Sequence, residues 1–397
     1  MKNKEKIVFV VQRYGDNVVG GSESECRMYA ERLTPYYDVE VVTTCAVDYI
    51  SWANVFEPGV SELNGVTVRR FPVTRERELG EFSRVSEVIK EKGSRCSKEE
   101  LREWLEIQGP CAPEALEYLE EHQSEYKAML FMTYLYYLTA VGAPRFPGKS
   151  ILVPTAHDEW PIYLDCFRAQ FEAAGGIVYN SEAERRFTDR LFLETVGKPW
   201  ITIGAGVEYP RGELPDIRER FGITDPYLLY CGRVEGAKGC DRLIEYFNAY
   251  KRRFNDDLKL VFTGKVEMNI PRRSDILVLG FVSEEEKYAL MANSLAFTLA
   301  SQFESLSIVV LESLMMGRPV LVNGVCEVLR DHALISGAGL WFRDADEFCG
   351  DVRYLMSHPR EYAQMCENGK RYVAERYRWP AIIRKLCALI ELVAAEQ

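Results

Sequence analysis

The chain alternates between two hydrophobic patterns. Short apolar runs with few polar breaks recur along the first half: Lys6 to Gln12, Asp38 to Thr44, Val66 to Phe71, Tyr126 to Tyr134, Ser150 to Thr155 and Gly176 to Asn180. Near-continuous runs of this length are the pattern of parallel strands covered on both faces. Helical spacing fills the gaps, as in Glu23 to Leu33, with Cys26, Met28, Tyr29, Ala30 and Leu33. Trp200 to Gly206 leads into a Gly- and Pro-bearing stretch of linker type. A second series then begins: Tyr227 to Cys231, Leu258 to Thr263, Asp275 to Leu279, Leu295 to Leu299, Pro319 to Val322 and Gly339 to Phe342. Strand and helix alternating twice over predict an α/β chain of two doubly wound parallel sheets. Arg360 to Ala395 reads as helical. So does the charged stretch from about 75 to 125, with a break at Gln108-Gly109-Pro110.

One stretch departs from plain core patterning. Ser301 to Pro319 predicts a helix from about Ser307 to Met316, capped by Ser305 or Ser307 and stopped by Gly317 and Pro319. Glu304 falls just before it and Glu312 inside it. Eight helical steps would separate them by about 12 Å, close to the span from a sugar ring to a ribose across a diphosphate. The helix N-terminus between them suits phosphate. A buried helix with both carboxylates on its wet edge is the alternative.

The strand Tyr227 to Cys231 runs into Gly232-Arg233 and then Lys238-Gly239. Two cations just past a strand end lie where open α/β sheets bind ligands. Taken together, Gly232-Arg233-x4-Lys238-Gly239 and Glu304-x7-Glu312 resemble the paired motifs of the retaining family 4 glycosyltransferases of GT-B fold. The resemblance implies two Rossmann-like domains facing each other across a cleft. Their expected limits are 1–205, with a helical excursion at about 75–125; 206–375 for the nucleotide-sugar domain; and 376–397 as a helix crossing back. It implies transfer of a sugar from a nucleoside diphosphate sugar to an acceptor hydroxyl with retained configuration, in glycan or cell-surface polysaccharide assembly. Arg233 and Lys238 would stabilise the departing diphosphate, Glu304 would contact the sugar and Glu312 the ribose, with Ser305, Leu306 and Ser307 also at the donor. This chain has Leu306-Ser307 where the family often has Phe-Gly, and Thr263-Gly264-Lys265-Val266 where a more glycine-rich loop is common.

In the first half, the strand Lys6 to Gln12 leads to a loop holding Gly20-Gly21, with no G-x-G-x-x-G dinucleotide fingerprint. The resemblance implies that Gly20 and Gly21 face the donor; a tight turn is the alternative. His157 follows the strand Ser150 to Thr155 and is one of four histidines. The resemblance makes it the group that meets the donor sugar, with Asp158 and Glu159 as acceptor or supporting groups. The excursion at 75–125 is expected either to shape an acceptor site or to decorate the surface. Its Trp104 and Tyr118, with Tyr126 just beyond, are expected either to pack inward or to stack on a sugar.

A chain of 397 residues is long enough for two ordinary domains. A net charge of -11 argues against nucleic-acid binding, which needs a basic footprint. Arg69, Arg70, Arg75, Arg77 and Arg84 cluster locally among Glu76, Glu78 and Glu81, and are expected to form a solvated surface. Eleven cysteines without C-x-x-C pairs, and no signal peptide at Met1-Lys2-Asn3-Lys4, are expected of a cytoplasmic protein with reduced thiols. Peripheral contact with the inner membrane face stays open. No carboxylate pair is set up for a metal, so neither a metal nor another cofactor is expected. The partners expected are a UDP- or GDP-sugar donor and a glycan, lipid-linked or small-molecule acceptor. The competing reading is a nucleotide-sugar-binding protein without transfer activity. A Rossmann oxidoreductase is more distant, since its phosphate fingerprint is missing.

Overall fold

A computed structural model describes residues 4–18 and 20–396. The chain forms two units: Met1–Ala205 with Pro380–Gln397, and Gly206–Trp379.

The first unit holds β1 (Lys6–Val10), β2 (Asp38–Thr44), β3 (Gly59–Leu63), β4 (Val66–Phe71), β5 (Tyr126–Met132), β6 (Ser150–Val153), β7 (Gly176–Tyr179) and β8 (Trp200–Thr202). Their order in the sheet is β3-β4-β2-β1-β5-β6-β7-β8, parallel throughout except for the β3–β4 hairpin. The order reverses between β1 and β5, with Ile7 beside both Val39 and Ala128. Loops leaving the C-terminal ends of those strands therefore sit where such sheets take ligands. The hairpin strand β3 has no apolar run, since it lies at the sheet edge with exposed side chains. Its turn, Asn64-Gly65, has positive φ at both residues (52° and 79°), the conformation a two-residue hairpin requires.

Three helices fill the 75–125 excursion: Leu79–Lys92, Lys98–Gln108 and Pro113–His122. They are core material. Ile89, Leu101, Trp104, Leu105, Leu116 and Leu119 pack in one buried cluster with Val8, Val10, Met129 and Phe131. Trp104 lies edge-on to Trp160 and Phe167 and donates Nε1–H to Ser86 Oγ at 3.0 Å. Tyr118 and Tyr126 both donate to the buried carboxylate of Glu40. All three aromatics pack inward, and none is a sugar-stacking surface.

The arginine cluster corrects another expectation. Arg69 pairs with Glu40, whose side chain is wholly buried, at 2.7 Å. Arg77 is held by the carbonyls of Tyr49 and Gln108 and stacks on Trp52 and Phe82. Burial pushes the Arg77 guanidinium down to about 10. Two of the five arginines are thus structural ties rather than a solvated face.

The second unit holds β9 (Tyr227–Cys231), β10 (Lys259–Thr263), β11 (Ile276–Gly280), β12 (Ala296–Leu299), β13 (Val320–Asn323) and β14 (Gly339–Phe342). All pairings are parallel, in the order β11-β10-β9-β12-β13-β14. The order reverses between β9 and β12. The expected single helical stretch from Arg360 to Ala395 is two helices, Pro359–Arg376 and Trp379–Ala395. Gly176 makes room for the second of these: a Cβ there would lie 2.7 Å from Val393.

Candidate active site

In the second unit the chemistry gathers past the ends of β9 and β12. Tyr230 donates its hydroxyl to the Arg233 carbonyl at 2.6 Å, fixing the turn after β9. Arg233 Nη1 lies 3.3 Å from Glu235 Oε1, and its Nε lies 4.0 Å from Glu267 Oε2. Lys238 ends a short turn, and Gly239 follows in the left-handed region with φ 71°. A Cβ on Gly239 would stand 2.2 Å from the Ala300 carbonyl oxygen. Only glycine permits both that conformation and that approach. The approach carries Lys238 to the loop after β12, where its Nζ meets Glu304 Oε1 at 2.7 Å.

That loop is tied down from behind. Asn323 donates to the Ser301 carbonyl at 3.1 Å. His332 holds the Leu306 carbonyl at 2.7 Å through Nε2, and its Nδ1 lies 3.0 Å from the Tyr372 hydroxyl. A carbonyl oxygen accepts only, so the imidazole carries its proton on Nε2 and accepts from Tyr372. Burial lowers His332 to about 4, so it is neutral at pH 7.

The helix that follows runs Ile308–Met315. It begins within a residue of the expected Ser307, and with Glu304 outside it only part of the path from Glu304 to Glu312 is helical, so the reckoning from eight helical steps does not apply. Neither Ser305 nor Ser307 caps it with a side chain. Ser307 occupies the N-cap position in the left-handed region (φ 61°, ψ 72°), and its buried Oγ has no hydrogen-bond partner among the described residues. A serine here adopts the backbone form that glycine favours. With no side-chain cap among the described residues, this N-terminus keeps its partial positive charge. Glu312 is buried, and its Oε1 accepts from Lys287 Nζ at 2.8 Å and from the Tyr288 hydroxyl at 3.0 Å. Glu304 and Glu312 therefore do not lie on a wet edge: each is paired with a lysine and largely out of solvent.

The loop Thr263 to Val266 is not a glycine-type flap. Val234 donates to the Lys265 carbonyl at 2.8 Å and Glu267 donates back to Val234 at 2.9 Å, so the loop runs as an extension of the sheet beside Arg233.

In the first unit, Gly20 precedes the helix Gly21–Leu33. Gly20 is extended, and a Cβ on it would lie 2.1 Å from Glu23 Oε2. Glu23 folds back beside the turn and accepts from Gln12 Nε2 and Arg13 Nε, each at 2.9 Å, and from Ser22 Oγ at 3.0 Å. The loop is thus built around a buried Arg13–Glu23 pair. A Cβ on Gly21 would meet no atom of the described residues within 4 Å.

His157 lies in the loop after β6. The preceding Thr155 is β-branched yet has φ 50°, a strained form. The Ala156 N–H is held at 2.6 Å by Glu184, whose other oxygen accepts from the Asn180 N–H at 2.6 Å. Burial, with Glu25 adding its charge, pushes Glu184 up to about 8. His157 Nδ1 donates to the Thr155 carbonyl at 3.3 Å, which turns Nε2 toward Glu159 Oε1 at 3.5 Å. Glu159 also accepts from Tyr134 at 2.6 Å. Burial works to raise the Glu159 carboxyl, but His157 and Tyr134 outweigh it and hold it below its usual value. Asp158 instead binds the Tyr163 hydroxyl at 2.6 Å.

The structure gathers Arg233, Lys238, Glu304, Ser305, Leu306, Ser307 and Glu312 past two neighbouring strands of one sheet. Gly20, Gly21 and His157 lie past β1 and β6 of the other. Sequence reasoning missed Lys287, His332 and Glu184, because each acts through a contact distant in the chain. Among the described residues, no group of three or more His, Cys, Asp or Glu is placed to hold a metal ion. No helix among them is long and apolar enough to cross a membrane.

Comparison with known proteins fits this geometry. Residues 215–372 match the family model "Glycosyl transferases group 1". Relatives include an alpha-D-kanosaminyltransferase of Streptomyces kanamyceticus, 29% identical over 44% of this chain and 47% of that protein. An MMP alpha-(1->4)-mannosyltransferase of Mycolicibacterium hassiacum is 26% identical over 36% of this chain and 38% of that protein. The match thus spans about half the length of these curated relatives, or less. Solved structures match end to end. Sucrose-phosphate synthase from Thermosynechococcus elongatus has a TM-score of 0.71 at 17% identity, covering 99% of this chain and 100% of that one. Anabaena HepE in complex with UDP and glucose has 0.67 at 14% identity, covering 98% and 99%. The two parallel α/β sheets have the GT-B fold. Residues 215–372 are thus similar to the glycosyl transferases group 1.

Proposed function

We propose that this protein transfers a sugar from a nucleoside diphosphate sugar to an acceptor hydroxyl, with retention at the anomeric carbon. The observation that carries the reading is the set of charges past the ends of β9 and β12, where a helix begins with no side-chain cap: Arg233 after β9, and the 2.7 Å Lys238–Glu304 pair that joins the two segments. As the sugar leaves, negative charge grows on the diphosphate and positive charge on the ring. Fixed donors already aimed at the diphosphate stabilise that state more than the ground state. Arg233, Lys238 and the N–H groups of the helix Ile308–Met315 serve the diphosphate. Glu304 serves the sugar and is oriented by Lys238. Glu312 accepts from the ribose hydroxyls. Ser305, Leu306 and Ser307 shape the turn that the sugar and phosphate approach, with Ser307 in the backbone form that glycine otherwise supplies. His157 in the first unit, its Nε2 steered by the Nδ1 bond to Thr155, is assigned to the transfer step on the family resemblance, and Gly20 and Gly21 to donor binding.

The donor is a UDP- or GDP-sugar. HepE, a structural neighbour, is described with UDP and glucose, which supports the uridine form. Two cations at the diphosphate support a reaction without an obligatory metal. The acceptor class is a glycan, lipid-linked or small-molecule hydroxyl in polysaccharide or glycan assembly. The site of action is the cytoplasm, with room for contact at the membrane surface. A binding protein without transfer activity is the second reading, and the intact Arg233, Lys238 and Glu304 disfavour it. Mass-spectrometric screening of UDP-, GDP- and ADP-sugars tests both: binding with slow hydrolysis supports the enzyme, and binding without any turnover supports the second reading.

A further inference from the structure

Glu312 is held in a way that sugar transfer does not by itself require. Both of its protein partners come from one turn of the helix Glu284–Asn293, and both bind the same oxygen. Lys287 Nζ lies 2.8 Å and the Tyr288 hydroxyl 3.0 Å from Oε1. No hydrogen bond from the described residues reaches Oε2. Lys287 is mostly buried, with 15% of its side chain exposed, and it also reaches Glu284 Oε1 at 2.9 Å. A lysine is seldom withdrawn from water to this extent unless its charge is matched. Here the match is to the one carboxylate assigned to the ribose.

We propose that Lys287 and Tyr288 lock the Glu312 carboxylate by its Oε1, so that Oε2 alone is presented to the ribose hydroxyls, and that this lock makes nucleotide binding selective for ribose over deoxyribose. The inference rests on the proposed nucleotide reading of Glu312. An unlocked glutamate has several rotamers and loses that freedom when it binds a ligand. A carboxylate already fixed loses little, so the full strength of a charge-assisted bond to a hydroxyl appears as affinity. A site built to bond a hydroxyl then rejects the analogue lacking it. Lys287 is a positioning residue in this account: it acts on the ribose only through Glu312.

The test is calorimetric titration of the full chain with UDP and GDP, and with the 2′-deoxy and 3′-deoxy forms of whichever binds more tightly. The proteins are the parent, Lys287→Met, Tyr288→Phe and Glu312→Ala. The parent is expected to prefer the ribo form to at least one deoxy form by about tenfold or more. Lys287→Met, which keeps the apolar stem, is expected to shrink that preference to about threefold or less, chiefly by weakening the ribo form. Tyr288→Phe, a change of one hydroxyl that keeps the ring, is expected to fall between the two and covers the case of a poorly folded lysine variant. Equal weakening of ribo and deoxy forms in Lys287→Met and Tyr288→Phe would show a merely structural role and overturn the proposal. If Glu312→Ala abolishes the preference while both Lys287→Met and Tyr288→Phe keep it, the lock is wrong and the ribose reading stands. If Glu312→Ala keeps the preference, or neither diphosphate binds, the nucleotide reading of Glu312 falls and the inference with it.

Discussion

Lys238 Nζ and Glu304 Oε1 lie 2.7 Å apart, joining the segment after β9 to the segment after β12. Glu304 is the more buried partner, at 12% exposure against 38% for Lys238. The two motifs that carry the family resemblance are thus one charged unit, made possible by the close approach of Gly239 to Ala300.

Residues that act as a unit do not lose activity additively. Lys238→Ala and Glu304→Ala are each expected to lower kcat by about 10²-fold or more, and the double variant is expected to be little worse than either. A full set of rate constants for the cycle checks this. Losses that multiply would mean that the pair is formed only without ligand and that each residue works alone.

Ser307 carries a backbone cost that glycine would not. Left-handed geometry costs a non-glycine residue about 1–2 kcal/mol, and glycine's extra freedom in the unfolded chain returns about 0.4–1 kcal/mol of that. Ser307→Gly is therefore expected to stabilise the protein by about 0.5–1 kcal/mol. Denaturant titration checks it. A destabilised glycine variant would mean that the buried Oγ makes a bond worth more than the strain.

His332 gives the second unit a distinct acid response. The unfolded imidazole takes up its proton near pH 6.5, whereas in the folded protein burial delays uptake to about pH 4. The unfolded state thus binds more protons between these values. The stability due to the neutral His332 is complete above about pH 6.5 and is lost as pH falls toward 4, at up to about 1.4 kcal/mol per pH unit. Chemical denaturation at pH 7.5 and 5.0 should show a larger acid loss in the parent than in His332→Gln. Equal losses in both proteins would mean that the imidazole is already charged when folded.

The His157 side chain is 30% exposed, with Nδ1 3.3 Å from the Thr155 carbonyl and Nε2 3.5 Å from Glu159. His157→Ala is expected to change stability by less than about 1 kcal/mol and to leave nucleoside diphosphate affinity unchanged, because the contacts proposed for ribose and diphosphate, from Arg233, Lys238, Glu312 and the helix Ile308–Met315, lie in the second unit. It is expected to slow transfer by about 10²-fold. Melting temperature, affinity and rate on this one variant separate a transfer role from a structural one. A destabilised protein whose folded fraction transfers at the parent rate would remove His157 from the mechanism.

The strands were legible because burial on both faces leaves a run with little alternation, as in Val8 to Val11 and Leu228 to Leu229. The strand Gly59–Leu63 was not, since an edge strand has no such run and only Asn64-Gly65 marks its hairpin. Arg233, Lys238, Glu304 and Glu312 stood out by spacing, yet their pairing depends on tertiary approach. Arg69 and Arg77 read as surface because local charge pattern says nothing of Glu40, twenty-nine residues away, or of the Gln108 carbonyl. His332 and Lys287 carry no sequence signal, because what defines each is its partner: the Leu306 carbonyl for one and Glu312 for the other.

The central claim is that the charges around the Ile308–Met315 N-terminus drive retaining loss of a sugar from a nucleoside diphosphate. Proton NMR of the protein with UDP- and GDP-α-sugars, in excess EDTA and with water as acceptor, follows both the release of diphosphate and the first-formed anomer. The account predicts slow release with the α-anomer formed first, reduced by about 10²-fold or more in Arg233→Ala. Release of the β-anomer first, or a rate unchanged by Arg233→Ala, would contradict it.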